Sequence, residues 1–292
     1  MKYALIKEFE GIFPVFLMCK MLQVSCSRYY AWQKKTLSYR SKSDVFLIEK
    51  IRSVFLEGRM LYGTRKIRKR LQQRNIIISR KRITRLMLEA HLERRVKRKF
   101  KATTDSKHNF IASPNLLKRQ FHIAKPNLVW AGDITYIPTQ TGWLYLATVM
   151  DLYSRKIVGW SMDTSMKASL VNNAITIAIW QRRPARGLIW HSDRGSQYCA
   201  KSHREILKDH GIVQSMSRKG DCWDNATSES FFSILKRELV ELNNFVNQKE
   251  ASAAIFEYIE VFYNKIRAHS TVGYLAPIEF EENKKTFKQS VL

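Results

Sequence analysis

Alternation of apolar and polar residues becomes regular from residue 127 and predicts a sheet in the second half of the chain. Three β-rich segments, 129–137, 143–151 and 157–162, are separated by short turns only, so we expect an antiparallel meander. The pattern continues with helix 168–180, strand 188–192, helix 201–210, strand 213–216, and helices 226–239 and 248–266. A meander followed by alternating strands and helices predicts a mixed α/β sheet with helices on its faces.

The first hundred residues carry apolar positions at helical spacing instead. Residues 20–32 predict a short helix, a Ser-rich turn and a second helix, and residues 44–56 predict another. Thr64 and Ser79 are the expected N-caps of two further helices. Helix, short turn and helix with Lys and Arg outside indicate a helix-turn-helix-like unit that contacts DNA. A plain helical bundle with solvated basic faces fits the same pattern.

Charge is distributed very unevenly over the 292 residues. The net charge is +26, and residues 1–126 hold 31 Lys and Arg against 8 Asp and Glu. Residues 127–292 hold the remaining 20 against 17. Such an asymmetry indicates a polyanionic partner, with nucleic acid favoured over a merely solubilising surface, because Lys and Arg on phosphates release condensed counterions.

These patterns predict three regions. Residues 1–100 form a basic helical DNA-binding region, and residues 127–292 form an α/β core. Residues 101–126 form a linker, which follows the charge run Arg94–Lys101, is rich in Thr, Ser and Asn, and closes at Pro126.

Cysteine usage and hydropathy predict a cytoplasmic protein that does not enter a membrane. The four cysteines form no C-x-x-C pair and have no matching His cluster, so they are read as reduced thiols: Cys19, Cys26, Cys199 and Cys222. No apolar run approaches the roughly 18 residues of a membrane span. Residues 12–18 contain Pro14 and make a poor signal peptide.

Three acidic residues lie in apolar surroundings. Asp133 is inside a predicted strand, Asp193 follows the end of another, and Glu229 is in the first turns of a helix. Charge within such segments is costly unless it is paired or binds a cation. Any one of these carboxylates alone is read more simply as solvated or salt-bridged. Together they would form an all-oxygen cluster suited to Mg²⁺ or Mn²⁺, and two such ions support in-line phosphoryl displacement.

Asp133, Asp193 and Glu229, with 35 residues between the last two, resemble the catalytic triad of DDE transposases and retroviral integrases. Their flanks resemble the integrase-core (second reading frame) protein of a large bacterial insertion-sequence family whose transposase is made by frameshifting. Motifs that carry this likeness occur in order along nearly the whole chain: VSCSRYYAW (24–32), YGTRK (62–66), SRKRITRLMLEAHL (79–92), PNLLKRQF (114–121), WAGDITYI (130–137), WLYLATVMD (143–151), YSRKIVGW (153–160), HSDRGSQY (191–198), SMSRKG (215–220), DNATSESFFSILKRE (224–238) and YNKIRAH (263–269).

The resemblance implies a ribonuclease H-like core whose five-stranded sheet places its first strand beside its fourth, and hence Asp133 beside Asp193. It also implies that Asp133, Asp193 and Glu229 bind two Mg²⁺ or Mn²⁺ ions per active site. The implied activity is hydrolysis of a phosphodiester at the element's end, followed by attack of the freed 3′-OH on another phosphodiester. No covalent protein–DNA intermediate is expected.

Seven residues are candidate DNA contacts: Lys236, His191, Arg194, Asn225, Arg267, Arg65 and Lys66. Lys236 shares a helix face with Glu229 and would neutralise phosphate, or is simply solvated. His191 shares a strand face with Asp193 and either assists the site or is a satisfied core histidine. Arg267, like His269, either contacts DNA or braces the last helix.

Several other conspicuous residues are expected to be structural. Asp151 is read as a turn or supporting group, and Asp221 and Asp224 fit the cap and dipole of the Glu229 helix. Four tryptophans in predicted strands are expected in the core: Trp130, Trp143, Trp160 and Trp190.

An active transposase is the favoured function, acting on double-stranded DNA at the element's terminal repeats and at the target. A homo-oligomer on DNA is expected, because two ends must be brought together. One alternative is a non-catalytic DNA-binding derivative that regulates transposition, and another is a ribonuclease H or Holliday-junction nuclease. The family's upstream reading frame adds a helix-turn-helix and a leucine zipper. This chain begins with Met1 and shows no sustained heptads, so that segment is expected as a fusion or partner.

Overall fold

The computed structural model describes residues 1–34, 39–95, 113–218 and 222–289. The chain divides into two compact units, residues 1–52 and 53–292. The two helices over residues 64–73 and 80–89 thus belong to the same unit as the sheet. The division into a helical region, a linker and a catalytic core stays a prediction, and residues 101–112 of the predicted linker, like most of the charge run before it, lie outside the described residues.

The first unit contains three short helices, α1 (Lys2–Glu8), α2 (Val15–Met21) and α3 (Cys26–Gln33), and most of α4 (Tyr39–Glu57). A small core of Ile6, Cys19 and Tyr29 joins the first three. Ser25 caps α3 by accepting a hydrogen bond from Arg28 N at 3.4 Å. The predicted helix–Ser turn–helix over residues 20–32 is therefore present, with its first helix displaced toward the N-terminus.

Helices α5 (Thr64–Gln73) and α6 (Arg80–Glu89) pack against each other at the start of the second unit. Ser79 caps α6 as predicted, since its Oγ accepts from Arg82 N at 3.2 Å. The prediction for α5 was wrong: Gly63 is the N-cap and Thr64 is already helical. A glycine tolerates the extended cap conformation but offers no side chain to the first turn.

The sheet consists of β1 (Val129–Thr139), β2 (Gly142–Asp151), β3 (Ile157–Asp163), β4 (Ile189–Ser192) and β5 (Val213–Met216). Its order is β3-β2-β1-β4-β5. The first three strands form the predicted antiparallel meander, and β4 and β5 add in parallel to β1. This is the mixed five-stranded sheet predicted for a ribonuclease H-like core.

Helices cover both faces of the sheet. On one face α7 (Ala168–Arg182), α8 (Ser196–Cys199) and α9 (Lys201–Asp209) enclose a core that includes Trp130 and Trp190. On the other, α10 (Ala226–Glu238) and α11 (Gln248–Glu257) enclose a core that includes Ala131 and Phe232. Trp130 and Trp190 are buried as predicted, and Trp160 is partly buried and packs against the second core, whereas Trp143 is half exposed, which corrects its assignment to the core.

The C-terminal region departs from the expected single helix over 248–266. The helix changes to a π-helical segment at Tyr258–Tyr263, and a further helix, α12 (Pro277–Gln289), follows. Buried polar contacts hold α12, because Glu281 accepts hydrogen bonds from Ser154 Oγ at 2.6 Å and from Arg182 Nη1 at 2.9 Å. Among the described helices, none has both the length and the apolar character needed to traverse a bilayer.

Residues 53–75 are attached to the C-terminal region by specific contacts. Tyr62 Oη donates to Ile266 O at 3.0 Å and accepts from Ala268 N at 2.7 Å. Arg70 forms ion pairs with Glu57 at 3.0 Å and with Glu279 at 2.8 Å. The beginning of the helix-turn-helix-like segment is thereby held beside the polypeptide that follows α11.

Candidate active site

Asp133 lies on β1, and Asp193 directly follows the neighbouring parallel strand β4. Ala131 of β1 pairs with His191 of β4, and each aspartate comes two residues after its member of this pair. Since side chains two residues apart in a strand point to the same face, both carboxylates leave the sheet on one side. The expected neighbourhood of the first and fourth strands is confirmed.

Local hydrogen bonds hold each aspartate. Oδ1 of Asp133 accepts from the amide of Ile134 at 2.8 Å, and Oδ1 of Asp193 accepts from the amide of Gly195 at 2.9 Å. A Cβ on Gly195 would lie 3.0 Å from that Asp193 oxygen, so the glycine leaves room for the turn between β4 and α8. The second oxygen of each carboxylate is not used in these bonds.

Helix α10 carries Glu229 in its first turn and is joined to β1 close to Asp133. Asn225 is the N-cap residue, as predicted, but its side chain does not cap the helix. Its Nδ2 instead donates to the carbonyl of Gly132 at 3.4 Å, and its buried Oδ1 has no partner among the residues that the structure describes. Phe231, Phe232 and Leu235 are buried below the helix, whereas Glu229 remains exposed.

The three carboxylates interact electrostatically. Desolvation raises the pKa of Asp133 well above its usual value, and the charges of Asp193 and Glu229 raise it further, while Lys236 opposes them. Desolvation and the charge of Asp193 also raise the pKa of Glu229. Desolvation, Asp133 and Asp193 together raise the pKa of the buried Tyr198 hydroxyl. Mutual repulsion of this kind requires the groups to lie close together.

These residues do not form a closed ligand cluster. Across the described segments, no three His, Cys, Asp or Glu side chains approach one another closely enough to hold a metal ion as they stand. The three predicted carboxylates nevertheless influence one another's pKa values, and they lie at one end of the β1–β4 pair.

Lys236 lies beside this group, two helical turns after Glu229. Its Nζ is 4.7 Å from the centre of the Tyr136 ring, and that ring packs edge-on against Trp143 at 5.1 Å between centroids. Tyr136 and Trp143 are both about half exposed. A partly exposed cation beside the carboxylates thus continues into two half-exposed aromatic rings, an arrangement suited to a nucleic acid strand.

The chain is similar over most of its length to insertion-sequence proteins. It is 45% identical over 265 residues, 91% of this chain and 97% of the relative, to the "Insertion element IS600 uncharacterized 31 kDa protein" of Shigella sonnei. It is 38% identical over 283 residues, 96% of this chain and 98% of the relative, to "Transposase InsF for insertion sequence IS3A" of Escherichia coli K12. The chain belongs to the InsF-type insertion-sequence transposases.

Matches to family models place an HTH-like domain before the integrase core in this transposase chain. Residues 123–222 and 229–284 match two integrase core domain families, and residues 42–100 match an HTH-like domain. Among solved structures, the HTLV-2 integrase catalytic core domain in complex with magnesium aligns with 53% of this chain and 96% of its own, at 17% identity and a TM-score of 0.40. The BIV integrase core domain aligns with 55% and 99%, at 18% identity and a TM-score of 0.40.

Three of the seven candidate DNA contacts of this InsF-type chain are buried and occupied. His191 is fully buried, with Nδ1 2.9 Å from Ser215 Oγ and Nε2 3.3 Å from Ser217 Oγ. Asn225 is bonded to Gly132, and Arg267 pairs with Glu238 through two 2.7 Å hydrogen bonds. These contacts argue against a direct approach of DNA to the three side chains.

The other four candidates are accessible to different degrees. Arg65 is exposed, and Lys66, Lys236 and Arg194 are partly exposed. Arg194 Nε donates to the carbonyl of Ser217 at 2.8 Å, which holds this guanidinium just beyond the end of β5. Of these four residues, Lys236 acts electrostatically on Asp133, whereas Arg65 and Lys66 lie at the start of α5.

The acidic residues expected to be structural have structural contacts. Asp151 is fully buried, accepts from the amides of Asn127 and Tyr153, and pairs with Arg182 at 3.1 Å. Asp224 accepts from Arg218 and Arg119, and these bonds hold its pKa well below the usual range. Asp221 lies outside the described residues.

Two residues near the site, Gly132 and Tyr136, were not anticipated from the sequence. The Trp190 ring occupies the position beside Gly132, where a Cβ would lie 2.0 Å from the ring. Tyr136 supports Lys236. The alternation of buried and exposed positions in β1 could have pointed to Tyr136. It is an exposed aromatic residue three positions after Asp133 in a mostly buried strand.

Proposed function

We propose that this transposase cleaves DNA at the ends of an insertion sequence and transfers the cut strand to a new site, using divalent cations held by Asp133, Asp193 and Glu229. The observation that carries the proposal is the mutual electrostatic coupling of these carboxylates, with two of them each two residues after a paired position of adjacent strands. Membership of a transposase family supports the reaction class.

The donor set fits a hard divalent cation such as Mg²⁺ or Mn²⁺. All three side chains supply carboxylate oxygens, and the pKa of Asp133 is raised first by desolvation and then by the like charges of Asp193 and Glu229. Two ions held there would stabilise both the attacking and the leaving oxygen of a phosphoryl displacement. Side chains of this chain would supply the remaining positioning of the DNA.

Around the carboxylates, we propose a division between residues that touch DNA and residues that position the site. Lys236, resting on Tyr136, and Arg194, beside Asp193, bind phosphates next to the scissile bond. His191, Asn225 and Arg267 hold strands and helices in place through their buried hydrogen bonds. His191 in particular braces β4 against β5, on the strand that leads to Asp193.

The substrate is double-stranded DNA, comprising the element's terminal repeats and a target. Because one reaction joins two element ends to a target, the active assembly contains at least two copies of the chain. The protein acts in the cytoplasm, where the element's DNA lies, and the product of the upstream reading frame joins it as a fusion or partner.

Comparison of Glu229→Gln with wild type in a strand-transfer assay tests this proposal. The substrate is a duplex ending in the terminal repeat, with Mg²⁺ present or removed by a chelator. The substitution keeps the side chain's shape and removes its charge, so we expect cleavage and joining to fall by at least about 10²-fold. Chelation should abolish both steps in wild type.

Glu205→Gln is the matched control, because Glu205 is an exposed carboxylate on α9 whose ion pair with Lys201 is 3.8 Å long. It should retain full activity. Equal activity of wild type and Glu229→Gln would remove Glu229 from the site. Binding of the terminal repeat without any Mg²⁺-dependent cleavage by wild type would favour a non-catalytic regulatory derivative instead.

A further inference from the structure

A cavity of about 340 Å³ lies at the start of α5, away from the carboxylate group. Gly63, Arg65 and Lys66 line it from the α5 side, and Arg94 closes it from the segment after α6. Arg237 and Glu238, the last residues of α10, form the opposite wall. The cavity thus joins the helix-turn-helix-like segment to the helix that bears Glu229.

Positive charge dominates this cavity. Glu238 is the one acidic side chain among the described residues of the lining, and both of its oxygens are engaged by Arg267, with a further 2.9 Å bond from Tyr258 Oη. Within the described chain, no ion pair is formed by any of the four lining cations, Arg65, Lys66, Arg94 and Arg237. The lining therefore retains an excess of cations after Glu238 and Arg267 neutralise each other.

Lys66 is the most constrained of the four cations. Its Nζ lies 5.0 Å from the centre of the Tyr62 ring, and the Tyr62 hydroxyl is fixed by Ile266 and Ala268. Burial lowers the pKa of Lys66 to about 7, and the charges of Arg267, Arg94 and Arg237 act in the same direction, against Glu238. A lysine held in this way gains from an anion that enters the cavity.

We propose that this cavity binds a phosphate group, supplied by the backbone of the DNA on which the transposase acts. The inference rests on the proposed function. If Glu229 binds a metal ion there, α10 carries a metal-binding carboxylate at its beginning and a phosphate-binding site at its end. Arg237 follows Glu229 by eight residues, which is about 12 Å along a helix. That distance corresponds to roughly three to four base pairs of duplex rise.

Several groups in the lining match the needs of a phosphate diester. Arginine guanidinium groups donate two parallel hydrogen bonds to phosphate oxygens, and a lysine adds a compact charge. The N-terminus of α5 adds a favourable dipole, since Gly63 leaves its first turn without a side-chain cap. A cavity of this size also admits bridging water molecules.

The test is DNA binding by wild type and Lys66→Met, measured by fluorescence anisotropy at several salt concentrations with a chelator present. Loss of one phosphate contact should reduce the slope of log K against log salt by about 0.9 and weaken binding about five- to tenfold near 0.1 M salt. Lys66→Arg, which keeps the charge, should restore both. Lys208→Met, which removes an exposed lysine from α9, should match wild type.

Duplexes with a single uncharged methylphosphonate linkage identify the phosphate. At one position the neutral linkage should weaken wild type as much as Lys66→Met does, and the two changes together should cost no more than either alone. An unchanged salt slope for Lys66→Met, or a difference that persists at every methylphosphonate position, overturns the proposal. Melting curves of the free proteins verify that the variants are folded.

Inorganic phosphate distinguishes the source of the ligand. If it raises the melting temperature of wild type but not of Lys66→Met while DNA binding is equal in both, the cavity holds free phosphate and the assignment to DNA fails. Because every measurement uses a chelator, its outcome is independent of cleavage. The phosphate site can fail its test while Glu229→Gln still loses cleavage and joining as proposed, and the reverse also holds.

Discussion

At the scale of single residues, two cations near the end of α10 have different partners: Arg267 has an ion pair, and Lys66 has an aromatic ring. Arg267 is almost fully buried and forms an ion pair with Glu238 through two hydrogen bonds, so each charge has an opposite partner. Lys66, at the start of α5, is partly exposed, and among the described residues its ammonium packs on the face of Tyr62 without an ion pair. A buried ion pair is costly to break because one ion would be left unpaired, whereas a desolvated lysine without an ion pair loses its proton more easily.

Lys66 should therefore make folding stability depend on pH. Its folded pKa of about 7 is lower than the unfolded value near 10.5, so the unfolded chain binds more protons between these values. Wild-type stability should rise with pH through this window. Lys66→Met should be more stable than wild type near pH 6, and that advantage should shrink by about 2–3 kcal/mol by pH 9.

Urea unfolding of both proteins at pH 6, 7.5 and 9 measures this difference. Taking the difference between the two proteins cancels the titration of all other groups. A constant gap across the three pH values would mean that Lys66 keeps its proton in the folded state, with a pKa near its ordinary value.

The residue scale also shows what sequence reasoning could and could not assign. Asp133, Asp193 and Glu229 were found from their apolar flanks and spacing, and the structure couples them electrostatically. The sequence allows two interpretations of His191, as a residue that assists the site or as a core histidine. Only Ser215 and Ser217, brought to it by the parallel β4–β5 pairing, favour the core reading, and no pattern along the chain reveals that pairing partner.

At the scale of elements, close packing between β3 and α7 depends on Gly159. A Cβ at this position would lie 2.4 Å from the backbone carbonyl of Ala174 and 2.7 Å from the Cβ of Ala178. The obstacle is backbone and cannot rotate away. Strand and helix must therefore separate to admit even one methyl group.

Gly159→Ala should destabilise the second unit by about 1–3 kcal/mol, because overpacking a dense contact forces backbone shifts. Denaturant unfolding measures the loss. Gly11→Ala is the control, since a Cβ there meets nothing within 4 Å, and its unfolding midpoint should be nearly that of wild type. Equal midpoints for Gly159→Ala and Gly11→Ala would refute the close contact.

Element prediction succeeded where periodicity was strong and failed where tertiary contacts decide. The five strands and the α7, α9 and α10 helices appear within a few residues of their predicted limits. Helix α12 was missed because its anchoring is long-range, through Glu281 to Ser154 and Arg182. The π-helical turn at Tyr258–Tyr263 was also missed, since its sequence continues the helical pattern of α11.

At the scale of the whole molecule, the uneven charge should govern association with DNA. Residues 1–126 carry 31 basic residues against 8 acidic ones, and binding of such a region to phosphates releases counterions. We expect the affinity for a terminal-repeat duplex to fall by about 10³-fold between 50 and 200 mM salt, which corresponds to about six phosphate contacts.

Equilibrium binding over this salt range measures the slope, with a scrambled duplex as the control. Contacts to phosphate are independent of sequence, so the scrambled duplex should show much of the same dependence on salt. A slope smaller than about 2 for both duplexes would contradict an electrostatic role for the basic half of the chain.

The sequence by itself predicted the order of the elements up to α11, three candidate carboxylates and a polyanionic partner, because periodicity, apolar flanks, family-like motifs and net charge are properties of neighbouring residues or of composition. Tertiary structure decided which polar side chains remain available. Arg267 and Asn225 are candidate DNA contacts in the sequence, but both are buried: Arg267 pairs with Glu238, and the Asn225 amide nitrogen donates to Gly132. Lys66 and Arg237, in contrast, line one cavity. Those outcomes depend on pairings between distant segments, which only the packed chain specifies.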